Sequence, residues 1–183
     1  MELFQSISGR RSVRRFTPED VSDDKVSRIL EAARWAPSWA NTQCCRFVVV
    51  RDPSIKEALA GTLTPTNPAI ETTRTAPVLI AVCAELKRSG YKKGQVTTEK
   101  GDWFMFDAGL AVENMVLAAH SLGLGTVIVA LLDARKAAGI LKLPDSMSFV
   151  VLLPVGHPDQ APIAPPRKPL AELVYREAYG NHA

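Results

Sequence analysis

The stretch from about Asp102 to Leu122 constrains the fold more than any other. It reads as one long helix whose apolar residues, Phe106, Leu110, Met115, Leu117, Ala118 and Leu122, are spread over much of the circumference instead of forming one stripe. Such a helix needs cover on several sides, which places it at the centre of a domain. Gly123 and Gly125 follow its last turn and end it. Its cover is visible on either side in the sequence. Val26, Ile29, Leu30 and Ala33 recur at one face of an amphipathic helix, with Ser22 or Asp23 to cap it and Pro37 to close it. Phe47 to Val50, Val78 to Ala84, Thr126 to Leu132 and Ser148 to Val155 read as strands, and Asp133 caps a short helix running to Leu141. Helices and strands alternate irregularly, without βαβ spacing, so the expected class is α+β: a sheet covered by helices.

After His157 the chain changes character. Pro158, Pro162, Pro165, Pro166 and Pro169 deny the segment helix and central-strand positions, leaving an extended arm over 157–183 attached to a single domain, 1–183. A chain of 183 residues, 46% apolar and 22% charged, has an ordinary globular composition. The apolar runs Ala76 to Ala84 and Phe149 to Val155 fall far short of the roughly 20 residues needed to cross a bilayer. No cleavable leader is read at the N-terminus. Three cysteines and three histidines, without a metal-ligand spacing, argue against a disulfide framework and a metal site, and fit a reducing cytoplasm.

The charge is unevenly placed. Of 22 basic and 19 acidic residues, giving a net charge of +3, Arg10, Arg11, Arg14 and Arg15 face only Glu2 in the first 16 residues, so the rest of the chain is neutral. Guanidinium groups match phosphate oxygens with paired donors, and Ser12 adds a hydroxyl. In an extended segment Arg10, Ser12 and Arg14 would point to one face, Arg11 and Arg15 to the other. An anion site, a solvated basic run and a nucleic-acid patch all fit this cluster, the last poorly because the broad basic face it needs is missing. A second polar stretch, Ala36-Pro37-Ser38-Trp39-Ala40-Asn41-Thr42-Gln43, joins a helix to a strand. It reads either as a capped loop or as donors and acceptors suited to the edge of a heteroaromatic ligand. Rossmann, P-loop and nucleophile-elbow fingerprints are missing, and no side chain stands out as a catalytic acid, base or nucleophile.

Four stretches together resemble the FMN-dependent nitroreductase family over nearly the whole chain: Arg10 to Phe16 (RRSVRRF); Ala36 to Gln43 (APSWANTQ); the run FDAGLAVENMVLAAHSLGLG ending at Gly125; and Val155-Gly156-His157-Pro158 with Pro166-Arg167-Lys168-Pro169-Leu170. The resemblance implies a mixed, mostly antiparallel central sheet and an intertwined homodimer with two FMN sites, each built by both chains. On that pattern Arg10, Arg11, Ser12 and Arg14 contact the FMN phosphate and ribityl groups, and Arg167 brings a further phosphate ligand from the arm. Pro37, Ser38, Trp39 and Asn41 line the isoalloxazine, the first three serving the partner's flavin. Val129, Ala130 and Leu131 place backbone beside the ring, with the Ala130 N–H facing flavin N5. The implied activity is transfer of hydride from NADH or NADPH to FMN and on to a small planar acceptor such as a nitroaromatic, quinone or enone, by ping-pong kinetics. Neither a catalytic side chain nor a metal is implied. The segments 61–74 and 85–103 carry none of these motifs, and nucleotide and substrate contacts are expected there. A flavin-consuming or dehalogenating enzyme on the same scaffold, and a non-enzymatic phosphate- or nucleic-acid-binding module, are the alternatives. Cys44 and Cys45 are expected to point to opposite faces as inert thiols, and Lys92, Lys93 and Lys100 to lie in a loop.

Overall fold

The computed structural model describes residues 2–181; Met1, His182 and Ala183 lie outside the described residues. Four strands, β1 (Cys45–Val50), β2 (Val78–Glu85), β5 (Gly125–Thr126) and β6 (Met147–Gly156), form a sheet in the order β1-β2-β6-β5. Each ladder is antiparallel, and an isolated parallel bridge joins Ser12 to Thr126. The two inner strands are apolar on both faces, as strands covered on both sides must be. Val78, Ile80 and Val82 of β2 enter one core with Val151, Leu153 and Val155 of β6, whereas Leu79, Ala81 and Cys83 enter the other with Leu152. Alternation along a pleated strand thus supplies two cores from one run of residues.

The first core is closed by α2 (Asp23–Arg34) and α5 (Phe104–Ser121). Ser22 caps α2 by accepting the Lys25 N–H through its hydroxyl, and Asp23 and Asp24 sit favourably in its first turn. The face that α5 buries is built of small or slender residues, Ala108, Ala111, Val112, Met115, Val116 and Ala119, which lets it pack closely on α2 and the sheet. Of the apolar residues expected to need cover, Met115 alone is fully buried and Phe106 is 58% exposed, as is the neighbouring Met105 at 59%. The helix therefore leaves part of its apolar surface uncovered among the described residues, although Trp103 packs edge-on against Phe106.

The second core is closed by α3 (Pro53–Ala60), α4 (Ile70–Thr75) and α6 (Ala134–Ile140). Sequence periodicity reveals α6, with Asp133 as its cap, but not the short helices α1 (Leu3–Gly9), α3 and α4. A signal for α3 does exist in Asp52-Pro53, where the aspartate caps and proline takes the first helical position. Two other expectations change. Only Gly125–Thr126 of the run to Leu132 pairs as a strand, followed by isolated bridges from Val129 to Leu152 and from Leu132 to Leu63, because the chain turns at Ala130, whose carbonyl accepts the Leu132 N–H. The lysine-rich stretch is a small hairpin, β3 (Tyr91–Lys92) with β4 (Gln95–Val96), whose turn residues Lys93 and Gly94 have φ of 49° and 76°. Among the described residues no helix is long and apolar enough to cross a membrane.

Candidate functional site

The arginine segment begins where α1 ends. Arg10 is the C-cap of that helix, and the chain then runs extended between β5 and the start of the arm. Backbone bonds fix it on both sides: Val13 N–H to Thr126 O, Thr17 N–H to His157 O, and Asp159 N–H to Arg15 O. Thr72 Oγ1 donates to Arg14 O at 2.6 Å, tying the segment also to α4. Val13 is buried against Gly125, where any Cβ would lie 2.8 Å from the Val13 side chain. With its backbone thus occupied, the segment leaves Arg14 and Arg15 exposed, while Arg10 and Arg11 are half-buried. No carboxylate among the described residues pairs with Arg10, Arg11, Arg14 or Arg15, whereas Arg34, Arg46, Arg51, Arg74 and Arg88 are each paired.

Arg11 departs from the expected alternation. Its guanidinium turns back to Ser8 O at 2.7 Å and Arg10 O at 2.8 Å, because the extended stretch starts only after the helix cap. Arg10 and Arg11 line a cavity of about 430 Å³ with His120, Thr126, Pro158 and Gln160. Burial, then the charges of Arg10 and Arg11, holds the His120 imidazole below its ordinary pKa.

The loop after α2 is built differently. Ala40, Asn41 and Gln43 have φ of 46°, 55° and 48°, a left-handed conformation that asparagine tolerates and that costs alanine or glutamine about 1–2 kcal/mol each. Two side chains hold it. Ser38 Oγ accepts the Gln43 N–H at 2.9 Å, and Asp107 Oδ1 accepts the Trp39 N–H at 3.0 Å. Pro37, Ser38 and Asn41 line a cavity of about 730 Å³ together with Cys44, Cys45 and Asp107. Asp107 is only 1% exposed and sits in the first turn of α5, where its other oxygen accepts Ser89 Oγ at 2.7 Å and Cys44 Sγ at 3.5 Å. Sequence reasoning misses this carboxylate, since its partners are far away in the chain.

The cysteines also differ from expectation. Cys44 precedes β1 instead of lying in it, so strand alternation does not separate the two thiols. Its hydrogen bond to Cys45, burial, and the charge of Asp107 all raise the pKa of the Cys44 thiol. The same hydrogen bond lowers that of half-buried Cys45. All three cysteines are free.

Val129 is 3% exposed and anchored by its bridge to Leu152, while Leu131 is 62% exposed and its carbonyl accepts Asn67 Nδ2 at 3.0 Å. Ala130 between them is exposed. Asn67, from a stretch without sequence motifs, thus fixes the turn at Ala130 to Leu131. Arg167 lies in the exposed arm, its one side-chain hydrogen bond among the described residues going to Pro165 O. The chain therefore gathers its candidate residues in separate places. Arg10 and Arg11 line one cavity, Pro37, Ser38 and Asn41 another, and Ser12, Arg14, Trp39, Val129, Ala130, Leu131 and Arg167 line neither.

This arrangement can be set beside known proteins. A profile of the nitroreductase family matches residues 7–157. An FMN reductase [NAD(P)H] of Bacillus subtilis is 29% identical over 98% of this chain and 75% of its own. A 5,6-dimethylbenzimidazole synthase of Rhodospirillum rubrum is 31% identical over 81% of this chain and 78% of its own. A nitroreductase-type structure from Desulfovibrio desulfuricans, solved in complex with FMN, is 37% identical, covers 98% of both chains and superposes with a TM-score of 0.78. The segments matched include the arginine run, the strained loop and the long helix that carries Asp107, and with a profile spanning most of its length this chain belongs to the nitroreductase family.

Proposed function

We propose that this chain is an FMN-dependent oxidoreductase that uses NADH or NADPH to reduce a small planar acceptor such as a nitroaromatic, quinone or enone. The observation that carries the reading is the arginine segment: a rigidly bonded backbone presenting Arg10 and Arg14 without a carboxylate partner among the described residues. Uncompensated guanidinium groups on a fixed strand suit a bound phosphate. When bound, FMN supplies the redox chemistry, taking hydride from the nicotinamide and returning electrons to an acceptor that occupies the same open face in turn.

The protein's own residues have three tasks. Arg10, Ser12 and Arg14 hold the phosphate and ribityl groups, and Arg11 supports the turn out of α1 through its bonds to Ser8 and Arg10 carbonyls. Ala130 and Leu131, exposed at a turn braced by Asn67, offer backbone donors to one edge of the ring. Pro37, Ser38, Trp39 and Asn41 shape the loop that receives its flat face.

The separation of these groups within one chain fits a site shared between two copies, with 157–183 carrying Arg167 across to the partner. A surplus of exposed apolar side chains supports the homodimer: Phe4 on α1, Met105 and Phe106 on α5, and Ile163 and Leu170 on the arm. Three free thiols fit a cytoplasmic setting. Partners beyond small molecules, whether nucleic acid or membrane, have no support in the charge distribution.

The decisive experiment is an absorbance spectrum of the purified protein followed by anaerobic NADH and NADPH titration and steady-state kinetics. A yellow protein bleached by either nucleotide, with parallel double-reciprocal lines, is expected; a colourless protein that does not take up added FMN overturns the reading. A second reading, a flavin-consuming enzyme, is favoured by the relative named as a 5,6-dimethylbenzimidazole synthase, because the dimethylbenzene ring in that name is also part of FMN. It is excluded if FMN survives repeated turnover.

A further inference from the structure

Asp107 is given no part in holding or reducing the proposed flavin, yet it is among the most completely enclosed polar groups of the described residues. It receives three donors from three separate segments: the Trp39 N–H from the strained loop, the Ser89 hydroxyl from the connection leading into the hairpin, and the Cys44 thiol from the entry to β1. No cation pairs with it among the described residues, so these three hydrogen bonds are what makes its burial tolerable. Each partner is itself fixed. Ser89 is fully buried, and its carbonyl accepts the Trp103 N–H one residue before α5 begins. Next to it, Gly90 at φ 83° packs where a Cβ would collide with Gly101 O, so the segment 86–103 is closed upon itself at the residue that Asp107 grips. On the other side, Trp39 lies beside Ala40 and Asn41, whose left-handed backbone needs an outside hold.

We propose that Asp107 is a positioning residue that locks the loop 37–43 and the hairpin segment 86–103 to one another, so that the loop reaches its ring-facing conformation only when the hairpin segment is seated. The idea rests on the FMN reading for its consequence in catalysis, but not for the coupling itself. Charge is what the three donors share a need for: an amide in place of the carboxylate offers one acceptor oxygen and turns an NH2 group toward a donor. The hairpin segment thereby acts on the loop 37–43 through one carboxylate.

The test compares Asp107→Asn and Ser89→Ala with the unaltered protein, by hydrogen exchange of the protein without flavin and by FMN titration. Asp107→Asn should speed exchange in both 37–43 and 86–103, leaving β2 and β6 protected, and weaken FMN binding by about tenfold or more. Ser89→Ala removes a group that does not touch the loop, and should nevertheless speed exchange at Trp39 to Gln43. Faster exchange confined to 86–103 in Ser89→Ala overturns the coupling, and an unchanged Trp39 amide in Asp107→Asn overturns the positioning role. If faster exchange spreads through the sheet in Asp107→Asn, Asp107 is a general structural residue and the proposal also fails. Should the unaltered protein bind no FMN, the FMN reading falls while the exchange results still decide the coupling.

Discussion

The arginine segment and the loop 37–43 are held by opposite means. In the first, backbone bonds to Thr126, His157 and Asp159 fix an unstrained extended chain, and the side chains of Arg10 and Arg14 have no carboxylate partner among the described residues. In the second, the backbone itself is strained, and side chains, those of Ser38 and Asp107, are occupied in holding it. One region can lose a side chain and keep its shape; the other needs side chains in addition to its two short-range backbone bonds, Asn41 N–H to Ser38 O and Thr42 N–H to Trp39 O. On the proposed reading, the difference separates residues that bind from residues that place what binds.

That contrast is most sharply challenged by removing Asp107. Asp107→Ala strands two buried donors and a half-buried one and should cost about 3 kcal/mol of stability in urea denaturation, where a loss below about 1 kcal/mol contradicts the account of the loop. Gly125→Ala attacks the other region through its backbone, by pushing on Val13; a loss of about 2 kcal/mol is expected, together with weaker FMN binding. Arg14→Ala, by contrast, should leave the melting temperature unchanged and raise the Kd for FMN about tenfold, the contribution of one charge-assisted hydrogen bond. Unaltered affinity in both Arg14→Ala and Arg10→Ala would remove the phosphate assignment. Ala40→Gly relieves left-handed strain while adding chain entropy to the unfolded state, so a small gain of about 0.5 kcal/mol is predicted. The smallest effect is in pH dependence. Because His120 titrates below its ordinary value in the folded protein, its contribution is present above about pH 6.5 and is lost as pH falls from there toward the lower folded pKa. Arg10→Ala should move the His120 titration upward in NMR and flatten that loss.

Legibility in the sequence follows the same division. Alternation and caps reveal β1, β2 and β6 and the helices α2, α5 and α6, because each signal lies within a few residues of its effect. The arginine segment stands out for that reason too: Arg10, Arg11, Arg14 and Arg15 lie within six residues. Asp107 does not, since its bond to Trp39 joins positions 68 residues apart and its neighbours Phe106 and Ala108 read only as apolar helix. The hairpin at Lys93-Gly94 escapes because strands of two residues have no period to detect. Short helices such as α4, IETTRT, have no apolar stripe and owe their form to tertiary contacts such as Thr72 to Arg14.

The half-covered α5 ties the protein's endurance to its abundance. In the proposed dimer a second chain supplies the missing cover, so dissociation and unfolding become one equilibrium obeying mass action. The melting temperature then rises with protein concentration, and dilution alone is a denaturant.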